Sequence, residues 1–149
     1  MKTLFSQMFT VYTPGRANKI LPEIARRFNI ILDQRNSVVA LQEDLQRTIE
    51  SGSSLRIFTV KKQELNNSIT RLYKAIEELE NLGVVIKSVD DGLLDFPSMR
   101  FDEEVWLCWK AGETEIKFWH GKDEGFMGRK PLIQEGFPSY DNREFSDLR

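Results

Sequence analysis

The spacing of apolar residues changes period at Gly83, which limits the fold to a helical part followed by a stranded part. Before Gly83, Ile24, Phe28, Ile31, Val38, Leu45 and Ile49 recur at steps of three, four and seven, with Arg35 and Gln42 filling the gaps. Ser51-Gly52-Ser53-Ser54 interrupts this stripe, and Leu65, Ile69, Leu72, Ile76 and Leu79 then resume the spacing. Asn81-Leu82-Gly83 supplies a stop, with Gly83 suited to the left-handed position beyond a helix end. Two such stripes joined by a short polar link predict an antiparallel helical hairpin over about residues 14–82. Arg35 and Gln42 are read as register-setting seam residues, with the guanidinium reaching outward.

The ends of the helical part carry their own signals. Thr13 before Pro14 predicts an N-cap with proline at the first helical position. Pro22 is expected to kink or restart the helix, because it lacks the N–H of the ladder. Phe9 to Tyr12 has the composition of a short strand. Leu55 to Val60 reads either as a strand or as the lead-in to the second helix.

After Gly83 the period is two. Val84 to Val89 and Leu93 to Phe96 flank Asp90-Asp91-Gly92, a tight hairpin signal. Phe101-Asp102-Glu103 makes the next turn, Val105 to Lys110 the next strand, and Ala111-Gly112-Glu113-Thr114 turns into Glu115 to His120. The expected fold class is therefore α+β, a long antiparallel helical hairpin packed on a small four-stranded antiparallel meander over about 84–120. Pro97 should force a bulge or an early end to pairing. With the turn at 111–114, Trp106 faces Trp119 and Val105 faces His120. That pairing sets Val105, Leu107, Trp109, Ile116, Phe118 and His120 on a helix-facing side, and Trp106, Cys108, Lys110, Glu115, Lys117 and Trp119 on the other. A glycine-rich loop fills 121–132. The single domain is expected to close at 132, with 133–149 a mobile tail unless Phe137, Tyr140 and Phe145 dock.

Totals exclude several classes of function. A formal net charge of −2 gives no global field for nucleic acid or anionic lipid. One cysteine excludes an internal disulfide and a multi-cysteine zinc site, and suits a reducing compartment. Residues 1–16 lack a sustained apolar core, and no apolar run approaches the ~20 residues that span a bilayer. A cytoplasmic protein without membrane association is expected.

The cassette resembles a family of small prokaryotic proteins catalogued as domain of unknown function 2203. The residues that carry the resemblance are Ala17-Asn18, Leu21-Pro22-Glu23, Gly83-Val84, Gly92-Leu93-Leu94-Asp95-Phe96-Pro97 and Leu107-Cys108-Trp109. Gly112-Glu113, Trp119-His120, Gly125-Phe126, Gly128-Arg129 and Pro131-Leu132 complete the set, over about residues 9–132. Asp102-Glu103 departs from the Asp-Gly turn more usual in that family. The resemblance implies a fold and a set of recurring polar residues, and no reaction.

Chemistry centres on few side chains. His120 is the only imidazole, at the end of an apolar strand, and suits a metal ligand or a general base. Asp95 is a carboxylate inside an apolar strand that needs a partner if buried, with Arg129 or Arg26 as candidates. Asp95, His120 and Glu23 together would suit zinc, iron or manganese. Glu113, about 20 Å from His120 at strand rise, is expected to brace its own turn. Gly128 and Arg129 lie in a loop suited to a small anion, or to pinning by Phe126 and Arg129. Cys108 reads as a packed thiol. Trp106 and Trp119 with Lys110 and Lys117 would make a base-stacking platform, although burial at a subunit interface is the simpler account of that face. The leading expectation is a metal- or small-ligand-binding protein, catalytic or not. Its pocket would lie between sheet and hairpin, with Asp95, His120, Arg129, Glu23, Trp119 and Gly128 at the site and a divalent transition metal as cofactor. The alternatives are a homodimeric, non-catalytic interaction module and, less in keeping with the charge, an RNA-binding face.

Overall fold

The computed structural model describes residues 11–133 and 136–137. Helix α1 spans Pro14–Glu50 and helix α2 Leu55–Glu80. Strands β1 (Val85–Ser88), β2 (Leu93–Arg100), β3 (Glu103–Lys110), β4 (Phe118–Gly121) and β5 (Lys130–Pro131) follow. The strands form one antiparallel sheet in chain order, β1-β2-β3-β4-β5. Two long helices plus this sheet make an α+β fold. No helix among the described residues is long and apolar enough to cross a membrane.

The chain divides into two compact units, Arg26–Leu79 and the remainder. In the helical unit, Lys61 Nζ lies 2.9 Å from Asp44 and Arg27 lies 3.9 Å from Glu78. Residue numbers that rise on one helix as they fall on the other establish the antiparallel hairpin. Its core is Val38, Leu45 and Leu65, with Leu41, Phe58, Ile69 and Leu72 packed around them. The predicted stripe drifts. Ile49 is exposed and Gln42 faces solvent, while Thr48 is buried and Leu41 packs on the core. A helix of 3.6 residues per turn cannot keep a seven-residue seam, so its contact line slips by one residue. The segment 55–60 is helical from Leu55, with Ser54 Oγ accepting the Ile57 N–H at 3.3 Å.

The sheet unit contains the start of α1, capped as expected by Thr13, whose Oγ1 accepts the Arg16 N–H at 3.2 Å. Helix α1 runs on through Pro22 without restarting, because the ring stands on the solvent side and Leu21 and Ile24 remain buried beside it. Phe9 and Thr10 lie outside the described residues. Val11 and Tyr12 form no strand, but the Tyr12 N–H donates to the Pro97 carbonyl at 2.7 Å and Ser98 Oγ donates to the Tyr12 carbonyl at 2.6 Å. Pro97 therefore neither bulges nor ends β2. Its N and carbonyl point to the Tyr12 side, so the β2–β3 ladder never needed its N–H. The Tyr12 hydroxyl donates to the Leu82 carbonyl, and its ring meets Phe96 edge-on at 5.2 Å.

Turns supply the remaining geometry. Phe101 and Asp102 both have positive φ, 47° and 63°, which is the two-residue loop of a primed hairpin turn built without glycine. Gly83 has φ 94°, as its helix-end position predicts. Residues 121–132, expected as a loop, contain a 3-10 turn at Phe126–Gly128 and the fifth strand. Phe137 is buried and meets Trp119 at 6.3 Å, so this part of the tail docks; Tyr140 and Phe145 lie outside the described residues.

Candidate functional site

The β3–β4 register decides what the sheet can do. Strand β4 starts at Phe118, and residues 111–117 form a longer connection than the expected four-residue turn. Glu113 shapes it: its Oε1 accepts the Lys110 N–H at 2.6 Å and its carbonyl accepts the Trp109 indole N–H at 2.8 Å. Asn18 Oδ1 accepts the Ile116 N–H at 2.6 Å, which holds the connection on the first turns of α1. The pairing is then Trp106 with His120 and Cys108 with Phe118, one residue away from the expected register. A one-residue slip carries every side chain of the strand to the opposite face.

His120 thus leaves the apolar side and joins Asp95, which pairs with Cys108 on β3. Leu94, Phe96, Ser98 and Leu107 line the face that receives Tyr12. Asp95, Trp106, Cys108, Phe118 and His120 line the other. The expected shared platform of Trp106 and Trp119 does not form, because the two indoles lie on opposite faces. Trp106 carries the Lys87 ammonium at 4.7 Å, and Trp119 carries Arg100 at 4.7 Å and Lys130 at 4.8 Å.

On the second face three donors converge. His120 Nε2 stands 3.0 Å from Asp95 Oδ2, with both side chains only 2% exposed. One donor atom from each of Asp95, Cys108 and His120 lies within 4.8 Å of the other two, and all three residues are buried. His120 Nδ1 is 3.0 Å from the Gly121 carbonyl, which can only accept, so Nδ1 carries a proton. That leaves Nε2 for the side of Asp95 and Cys108. Burial opposes a charged imidazole, but the hydrogen bonds to Asp95, Cys108 and the Gly121 carbonyl outweigh it and raise His120 from 6.5 to about 10. Asp95 therefore finds its partner in His120 rather than in Arg129 or Arg26.

A cavity of about 160 Å³ adjoins the cluster, lined by Lys87, Leu93, Asp95, Cys108, His120, Glu124, Gly125 and Phe126. These residues all belong to the sheet unit, on the face away from Tyr12. Glu23, on α1, is not among them. Lys87 is the extra residue of a β-bulge between Ile86 and Ser88, a device that re-aims side chains beside sites.

Arg129 does not line the cavity. Its guanidinium donates to Glu113 Oε1 at 2.6 Å and to the Cys108 carbonyl at 3.2 Å, between the rings of Phe118 (4.1 Å) and Phe126 (4.7 Å). Arg129 and Phe126 therefore pin the glycine-rich loop. Gly128 ends the 3-10 turn where a Cβ would stand 3.0 Å from Glu124. Trp119 packs with Phe137 and Arg100 on the other face. Sequence reasoning brought together Asp95 and His120, took Cys108 for an inert thiol, and did not single out Lys87 or Glu124. The missed signal was what that pairing requires of the register: His120 reaches Asp95 only when it shares a face with Cys108, one residue away from the expected pairing.

No curated protein and no solved structure matches the chain. A family model described as Uncharacterized conserved protein (DUF2203) matches residues 10–132, which include the helical hairpin, the sheet and all three converging side chains. The chain belongs to this family.

Proposed function

We propose that the protein binds one divalent transition metal through Asp95, Cys108 and His120. The observation that carries this reading is the convergence of three different, buried donor atoms within 4.8 Å of one another. Bond lengths of about 2.0–2.3 Å place tetrahedral ligand atoms roughly 3.3–3.7 Å apart, so small side-chain adjustments suffice. A metal ligand histidine characteristically donates its other ring N–H to a carbonyl, as Nδ1 does to Gly121. A nucleophilic triad would instead use one ring nitrogen for the thiol and the other for the carboxylate. Here the Gly121 carbonyl occupies Nδ1, which disfavours that relay.

The donor set favours zinc or iron over manganese, because a thiolate is a soft ligand. Uptake would displace the Nε2 proton of His120 and the Cys108 thiol proton. Three protein ligands leave a fourth position open toward the cavity, where the metal would polarise a bound water or carbonyl group. A second reading, an acid–base dyad without metal, draws on the 3.0 Å Asp95–His120 contact alone. Elemental analysis of untagged protein purified without chelator separates the two. The metal reading expects near-stoichiometric zinc or iron in the wild type and its loss in folded Cys108→Ala and His120→Ala. Metal-free wild type that also fails to take up added zinc would leave the dyad.

A further inference from the structure

The wall of the cavity combines polar, charged and apolar side chains. Its volume of about 160 Å³ is close to that of a cavity that holds one benzene-sized molecule. Leu93 and Phe126 supply the apolar wall, and Lys87 and Glu124 the charges beyond the three converging donors. Glu124 is held by the loop: Oε1 accepts the Gly121 N–H at 2.7 Å and pairs with Lys130 Nζ. A Cβ at Gly121 would stand 2.8 Å from Oε1, and one at Gly128 3.0 Å from Oε2, so two glycines leave room for this carboxylate. The hydrogen bonds from Lys130 and from the Gly121 N–H hold Glu124 below the usual carboxylate range.

The charges then sum simply. A divalent ion is balanced by the Asp95 carboxylate and the Cys108 thiolate, and Glu124 is balanced by Lys130. Lys122 pairs with Glu104 at 3.4 Å, and Lys110 donates to the Asp91 carbonyl and does not line the cavity. Lys87, over the Trp106 ring at 4.7 Å, brings a positive charge to the cavity wall, and Lys110, 5.3 Å from the Phe126 ring, adds another behind that wall.

We propose that the cavity is a binding site for a small monoanion with an apolar body, of the class of short-chain monocarboxylates. The carboxylate takes the open metal position beside Lys87, and Leu93 and Phe126 cover the chain. Leu93 and Phe126 offer a second carboxylate no hydrogen-bond partner, which disfavours dianionic ligands. This assignment rests on the metal reading above.

The test uses the full-length chain loaded with cobalt(II), whose visible absorption reports ligand exchange, and titrates it with butyrate and with succinate. Butyrate should shift the bands saturably, and succinate should bind at least about 5-fold more weakly, the order of cost of setting a second carboxylate against an apolar wall. Lys87→Ala should weaken butyrate by about the same factor while cobalt affinity holds. Leu93→Asn, which offers a second carboxylate a donor, should narrow the gap between the two acids. Cobalt bands that butyrate leaves unchanged would overturn the proposal, as would variants that alter neither affinity. A chain that takes up no cobalt would remove the metal reading itself, and this assignment with it.

Discussion

The charged pairs of the helical unit face water, whereas the sheet unit adds to its solvated pairs one that is sealed. The side chains of Lys61 and Asp44 are 32% and 37% exposed, and those of Asp95 and His120 are 2% each. Both pairs are well formed, at 2.9 and 3.0 Å. Their consequences differ because a solvated pair exchanges one set of good interactions for another, while a buried pair must recover the cost of leaving water. An apolar pair of similar size would stabilise the sheet as well, so retention of Asp95 and His120 points to a role beyond stability. The helical unit also leaves Leu55, Ile57, Val60 and Tyr73 exposed, and carries no comparable cluster among the described residues.

The contrast can be broken by substitution. Asp95→Ala leaves an imidazolium without its counter-charge in a sealed site and should cost about 3–5 kcal/mol in chemical denaturation of the metal-free protein. A loss below 1 kcal/mol would remove the distinction between the units. Leu45→Ala, in the small core of the hairpin, should cost about 2–3 kcal/mol, at the low end for a buried leucine. Its effect should add to that of Asp95→Ala if the two units are energetically independent.

A pH series sharpens the same point. Folding raises the pKa of His120, so the folded protein binds that proton more tightly than the unfolded chain. The resulting stability is fully present below pH 6.5 and drains away as pH rises toward 10. The metal-free wild type should lose denaturation midpoint across this window, and His120→Gln should flatten the profile. Lys61→Ala, the smallest change, should leave the melting temperature within experimental error, since its partner Asp44 is solvated.

The helical half was legible because its signal is redundant. A stripe read from Ile24 to Val38 or from Leu65 to Leu79 survives a one-residue error, as the exchange of Gln42 and Ile49 for Leu41 and Thr48 shows. The sheet half has no such tolerance. Strand positions were recognisable from Val105 to Lys110 and from Phe118 to His120. Yet taking a four-residue turn in place of the longer Glu113-braced connection moved His120 to the wrong face and separated it from Cys108. Long-range contacts such as Asn18 with Ile116 set that connection, and local alternation carries no trace of them. Lys87 was hidden for a related reason, since a bulge inserts one residue and shifts the phase of the alternation from which faces are read.

The most direct measurement is X-ray absorption at the zinc edge of the zinc-loaded protein. The account predicts one sulfur at about 2.3 Å and two or three nitrogen or oxygen neighbours at about 2.0–2.1 Å, with the sulfur lost in Cys108→Ser. A shell of nitrogen and oxygen alone in the wild type would show that the ion sits elsewhere, and that Asp95, Cys108 and His120 are not a metal centre.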